Sequence, residues 1–180
     1  MKAVLDACVL YPTVLREILS GVAARGLYEP LWSDRIIREW TRATVKLGPV
    51  AQAQAEVEAT LFCAAFPRGQ LREQPSIEAR LLLPDPNDVH VLAVAIAGHA
   101  DCIVTFNAKD FPRHLLAEEG IARRDPDGLL WELWSFHPAP VSEVVRHVHA
   151  VAERMAGAPI PLRSLLKRAQ LPKLGKAMAG

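Results

Sequence analysis

The stretch Asp85-Pro-Asn-Asp-Val-His-Val-Leu-Ala-Val-Ala-Ile-Ala-Gly-His-Ala-Asp-Cys-Ile-Val-Thr-Phe-Asn-Ala-Lys-Asp110 decides how the rest of the chain is read. Its pattern predicts a helix, a turn, a buried strand and an acidic loop in succession. Pro86 suits the first helical turn, where a missing N–H costs nothing. Val89, Leu92, Ala93, Ile96 and Ala97 recur at helical spacing, and Gly98 is the expected C-terminal stop. Cys102 to Val104 is a short apolar run between Asp101 and Asn107, the pattern of a strand buried on both faces. Acids therefore stand at the start of the helix (Asp85, Asp88) and just past the carboxyl end of the strand (Asp110). In an open parallel sheet that carboxyl edge is where ligands bind.

Outward from this stretch, Ala3-Val4-Leu5 is an apolar strand ending in Asp6. A helix follows Pro12, with Leu15, Ile18, Leu19 and Val22 on one face. Tyr28 to Trp32 reads as a connection or a strand, with Pro30 arguing against the strand. Ser33 or Asp34 can cap a second helix with the stripe Ile36, Ile37, Trp40 and Ala43. Gly48-Pro49 breaks it, and residues 50–66 form a third helix whose expected seam is Val50, Ala53, Val57, Leu61 and Ala64 to Ala65. Residues 68–80 read as polar loop. Beyond Asp110, a short helix follows Pro112 and an edge strand is expected at 121–123. Leu129, Leu130, Leu133 and Trp134 mark a further helix, Pro138 and Pro140 a boundary, and residues 141–155 another amphipathic helix. Strands near 3–5, 102–105 and 121–123, with one more around Tyr28 or Ile77, imply an α/β fold with a mainly parallel sheet.

The 180 residues are about half apolar and carry a formal charge of +1. That small number conceals a split. From Val141 onward seven Lys/Arg face two acids, a net +5, which leaves −4 on the first 140 residues. An acidic body with a basic tail suits a cation site and a polyanion partner, although charged tails also serve only as solvated faces. Cys8, Cys63 and Cys102 lie too far apart for a zinc knuckle and read as reduced, buried thiols. The longest apolar run, Val91 to Ala97, is too short to span a bilayer. With no leader pattern at the start, a cytoplasmic protein without membrane contact is expected.

Each acid has an ordinary reading beside the chemical one. Asp85 and Asp88 are a good helix cap and a first-turn acid. Glu39 can pair with Arg35 or Arg42 on its own helix, worth roughly 0.3–0.5 kcal/mol. Asp110 before Phe-Pro is turn chemistry, with Thr105 and Asn107 as polar neighbours. Asp6 either caps a helix or faces the ligand edge, and Ala7-Cys8-Val9-Leu10 is not an obvious helix start. His90, His99 and His114 fit no zinc spacing and read as surface or partly buried structural residues. Acids from separate segments meeting at one sheet edge would repel one another unless a cation sat among them. Oxygen-only ligands favour Mg²⁺ or Mn²⁺ over zinc.

Asp6-Ala-Cys-Val-Leu after an opening strand, Arg38-Glu39, Asp88-Val-His-Val-Leu-Ala-Val-Ala and Ile103-Val-Thr-Phe-Asn-Ala-Lys-Asp-Phe111 together resemble the PIN-domain ribonucleases. That family includes the VapC-type toxins of bacterial toxin–antitoxin pairs. The resemblance implies a three-layer α/β/α fold for a catalytic domain over residues 1–137; it does not cover residues 138–180, which are expected to form a helical, basic C-terminal extension. It implies that Asp6, Glu39 and Asp88 are metal-binding acids, with Asp110 as the fourth and Asn107 as the alternative at that position. Asp85 and Thr105 would support the site. The activity implied is Mg²⁺- or Mn²⁺-dependent endoribonucleolytic hydrolysis, with an RNA substrate, a cognate antitoxin protein and a homodimer. The competing reading is a PIN-like RNA-binding or scaffold module without activity. A phosphoacceptor built on Asp6, Thr105 and Lys109 lacks an acceptor Asp on a middle strand, and a haloacid-dehalogenase-type phosphatase would want an Asp where Cys8 stands.

Overall fold

A computed structural model describes residues 1–178. The elements run β1 (Lys2–Leu5), α1 (Ala7–Leu10), α2 (Thr13–Ala24), β2 (Glu29–Ser33), α3 (Asp34–Ala43), α4 (Pro49–Ala65), β3 (Gln70–Leu71) and α5 (Pro75–Glu78). They continue with α6 (Val89–Ala97), β4 (Cys102–Val104), α7 (Arg113–Glu118), β5 (Ala122–Arg124), α8 (Pro126–Phe136), α9 (Pro138–Ala156), α10 (Leu162–Arg168) and α11 (Pro172–Ala177). The strands form one all-parallel sheet in the order β3-β2-β1-β4-β5. The architecture is the α/β/α class expected from the alternation of apolar runs and amphipathic helices.

The chain divides into two compact units, with segments from both sides of residue 138 in the second. The first comprises Met1–Tyr11 and Tyr28–Arg124, and the second Pro12–Leu27 and Asp125–Gly180. The first unit holds the whole sheet. Its centre is β1, where Ala3, Val4 and Leu5 are fully buried, next to β4, where Ile103 and Val104 are too. Strand order runs outward from β1 through β2 to β3, then returns to the other side of β1 for β4 and β5. The gap between the carboxyl ends of β1 and β4 is therefore the point at which the winding reverses. In the second unit α2, α8, α9, α10 and α11 pack on one another through Leu15, Ile18, Leu19, Leu129, Leu130, Val141, Val145, Leu166 and Leu174.

Several local expectations change. Residues 29–33 are a strand despite Pro30. β3 pairs only with Trp32 and Ser33, so the outer side of β2 is unpaired at Pro30, where proline is tolerated. The further strand expected around Tyr28 or Ile77 is thus β2, at the Tyr28 end, while Ile77 lies in the short helix α5; β3 is an additional strand in the stretch 68–80 that reads as polar loop. Ala7–Leu10 is helical. Pro138 stands at the expected boundary, between α8 and α9, and α9 begins there rather than at Val141; both prolines occupy its first turn, where their missing N–H groups have no intrahelical acceptor. On α4 the expected seam is solvent-facing, with Val50, Val57 and Leu61 exposed while Ala55, Ala59 and Phe62 are buried. The aromatic cluster decides this. Phe62 lies edge-on to Trp32 and Trp40, with ring centroids 6.2 and 6.4 Å away, and 5.2 Å from Phe66, and burying rings outweighs burying the smaller aliphatics.

Gly98 ends α6 for a different reason from the one its position suggests. Its φ is −82°, and the left-handed residue is His99, with φ 51°. Glycine is required at 98 by packing, because a Cβ there would stand 2.6 Å from both Leu31 Cδ1 and Leu71 Cδ1. Gly98→Ala should therefore destabilise the protein by about 1–3 kcal/mol through overpacking. This is read as a lower denaturation midpoint at unchanged m-value; an unchanged midpoint would show that the two leucines yield freely.

Candidate metal centre

Asp6 is the first residue past β1, and its N–H donates to Val104 O at 3.2 Å, so it stands where the sheet reverses direction. Although it occupies the N-cap position of α1, its side chain makes no capping bond. The carboxylate instead accepts from Thr105 Oγ1 at 2.6 Å and from Cys8 Sγ at 3.0 Å, all on Oδ2. Cys8 Sγ in turn accepts from Phe106 N–H at 3.3 Å, and Thr105 Oγ1 from Asn107 N–H at 2.9 Å. These bonds tie the end of β1 to the loop after β4. Burial, with Asp6 beside it, pushes the Cys8 thiol up to about 12, so it stays protonated and serves as a donor. Cys8 is half-buried rather than the inert core thiol its setting suggested, and its position two residues past Asp6 was the available signal.

Asp88 enters from the turn before α6. Residues Pro86–Asp88 form a single 3₁₀ turn, capped by Asp85 Oδ1, which accepts from Asn87 N–H at 2.9 Å. One carboxylate oxygen from each of Asp85, Asp88 and Asp110 falls within a group whose members all lie within 4.8 Å of one another. Asn107 Nδ2 donates to Asp88 Oδ2 at 3.2 Å. The loop after β4 thus delivers both residues proposed for the fourth position, Asp110 into the acidic group and Asn107 as a donor to it. Asp85 combines its capping bond with membership of the group.

Glu39 lies on α3, which is started by Ser33 Oγ accepting from Ile36 N–H. Of its two possible arginine partners Arg35 is the one engaged, with Nε 3.3 Å from Glu39 Oε1. Arg35 also donates to Asn87 O at 3.1 Å, joining α3 to the Asp88 turn. The residue sequence reasoning missed is His90. It is 1% exposed, and its Nε2 lies 3.0 Å from Glu39 Oε1, although neither ring nitrogen has a partner in hydrogen-bond geometry among the described residues. It is neither a surface nor a partly buried residue. The first seven residues of α6, Val89 to Ala95, are all buried, in keeping with its nearly uniform apolarity, and the histidine among them is buried with them. Burial works to raise Glu39, but the His90 ring and the Arg35 guanidinium outweigh it and hold the carboxyl below its ordinary value.

The carboxylates sense one another. Asp88 is raised from its ordinary 3.8 to about 6, first by burial and then by the charges of Asp6, Asp85, Asp110 and Glu39. Asp6 and Glu39 are not members of the 4.8 Å group of Asp85, Asp88 and Asp110, and act on Asp88 only through their charge. An all-oxygen donor set under mutual repulsion suits a hard divalent cation such as Mg²⁺ or Mn²⁺, which replaces repulsion with attraction.

An all-parallel sheet with carboxylates grouped beside its topological switch point is the arrangement of an open α/β fold, in which ligands bind outside the carboxyl ends of the strands. The PIN domain family matches residues 2–109, and the chain belongs to that family, whose members are nuclease-type folds that use divalent metal. No curated protein and no solved structure matches the chain.

Because Asp88 binds its proton more tightly folded than unfolded, the metal-free protein loses stability as pH rises from about 4 through about 6. In EDTA, Asp88→Asn should therefore melt above wild type at pH 7.5, with the gap closing toward pH 5. Differential scanning calorimetry with and without Mg²⁺ checks this: the ion should raise the wild-type Tm and leave the variant nearly unmoved. A variant that melts below wild type at pH 7.5 in EDTA would mean that the repulsion is not there.

Proposed function

We propose that the protein is a Mg²⁺- or Mn²⁺-dependent endoribonuclease, with Asp6, Glu39, Asp88 and Asp110 as its metal-binding acids. The observation that carries this reading is the grouping of carboxylate oxygens of Asp85, Asp88 and Asp110 within 4.8 Å of one another in a PIN domain. A phosphodiester is itself an anion, and five carboxylates would repel it. A bound cation reconciles the two, and when present it supplies polarisation of a phosphoryl oxygen and activation of water. The chain's own part is preorganisation. Thr105 and Cys8 fix the rotamer of Asp6 through two donors on one oxygen, leaving its other oxygen for a ligand. Asn107 orients Asp88, and Arg35 with His90 holds Glu39 ionised and in place. Asp85 keeps the Asp88 turn in its 3₁₀ form.

The family resemblance supports a toxin role within a toxin–antitoxin pair, a cognate antitoxin and a homodimer as parts of the same proposal. No helix among the described residues is long and apolar enough to cross a membrane, which accords with a cytoplasmic role. The test is cleavage of a single-stranded RNA in Mg²⁺ or Mn²⁺, with an EDTA control. Asp6→Asn and Asp88→Asn should each lower the rate by about 100-fold or more, with circular dichroism unchanged. Wild-type rates in both variants would refute the site assignment. Mg²⁺ binding without any cleavage would make the chain a binding module instead.

A further inference from the structure

The α10–α11 hairpin carries charge that the acidic centre does not use. Between Arg154 and Met178 there are six cations, Arg154 at the end of α9 and five on the hairpin itself, Arg163, Lys167, Arg168, Lys173 and Lys176, and no acid. All six are exposed, and among the described residues none is held by a carboxylate side chain. Elsewhere in the same unit an exposed arginine is matched, as Arg25 is by Glu143 at 2.7 Å. The hairpin is a defined scaffold rather than a frayed tail. Leu165, Leu166, Ala169, Leu171 and Leu174 are buried, and a Cβ on Gly175 would come within 3.2 Å of Leu166 Cβ, so the two helices approach closely. Asp127 on α8 accepts from the N–H groups of both Lys173 and Leu174, at 2.8 and 2.9 Å, fixing the start of α11. Lys173 Nζ lies 3.6 Å from the ring centroid of the half-buried Trp131.

We infer that the outward face of this hairpin, with Trp131 beside it, is a binding surface for the phosphate backbone of single-stranded RNA. Repelling cations held on a rigid hairpin cost stability unless an anion neutralises them. Cations next to an aromatic ring are the combination by which single strands are bound, charge for phosphate and ring for base. A membrane fits less well, because the leucines of both helices are turned inward and leave no apolar face to insert. The choice of RNA among polyanions rests on the nuclease reading above, whereas the anion-binding surface does not.

The test uses the full chain carrying Asp88→Asn, in EDTA, so that binding is measured without cleavage. Binding of a fluorescent 20-nucleotide single-stranded RNA is titrated from about 50 to 300 mM KCl. Adding Arg163→Gln, Lys167→Gln, Arg168→Gln and Lys176→Gln should weaken binding at least tenfold at the lowest salt. It should also reduce the slope of log Kd against log salt by about 2–3, at roughly 0.7 per lost phosphate contact. Replacing only Arg163 and Arg168 by lysine should preserve the slope. An unchanged affinity and slope in the glutamine variant would overturn the inference. So would a loss seen only for phosphatidylserine vesicles or polyglutamate and not for RNA. If the wild type fails to cut RNA while the glutamine variant loses binding, the nuclease reading falls and this one stands.

Discussion

The parallel pairing of β1 with β4 is the constraint on which the site depends. Leu5 is aligned with Val104, so the residues just beyond them, Asp6 and Thr105, emerge side by side at the carboxyl edge. Ala3, Val4 and Leu5 and the whole of β4 are buried, so a slip by one residue would draw the flanking Lys2, Asp6 or Asp101 into the apolar interior. The short bond between Thr105 Oγ1 and Asp6 Oδ2 is a consequence of that register. Everything else at the centre is hung from this pair: α3 brings Glu39 from one side, and the Asp88 turn and the loop after β4 bring the remaining acids.

The electrostatics and the hydrogen bonding pull in opposite directions. Donors from Thr105, Cys8, Asn107 and Arg35 keep individual carboxylates ordered, while the ensemble of carboxylates drives Asp88 toward its protonated form. A site that served stability alone would not hold three carboxylate oxygens within 4.8 Å of one another with two further acids near enough to act on Asp88. The cost is accepted where function needs a charge-dense, preorganised pocket. His90 belongs to the same balance. A buried imidazole beside a half-buried carboxylate compensates the burial of each, and it keeps Glu39 ionised near like charges.

The two halves of the charge split have distinct structural bases. The acids that matter are dispersed over the sequence and collected by the sheet, whereas the cations of the α10–α11 hairpin are already contiguous in the chain. Short helices tied down by Asp127 and by a leucine core present those cations in fixed positions. The second unit therefore has a chemistry of its own rather than being a passive appendage.

By itself the sequence determined the order of strands and helices in Asp85–Asp110, the strand ending at Asp6, and the identity of the candidate acids. Those features rest on local periodicity, on proline and glycine punctuation, and on acids placed at predicted strand ends. It was silent on the partnership of His90 with Glu39, the bonds of Cys8 to Asp6 and Phe106, and the burial of Phe62 in place of Val57 and Leu61. It placed the end of α6 at Gly98 correctly but not the packing of Leu31 and Leu71, from distant strands, against that glycine. Each of these was decided by tertiary structure, because the groups concerned meet only when segments far apart in the chain are packed at the switch point or around the aromatic cluster. Spacing along a single helix or strand carries no information about such encounters.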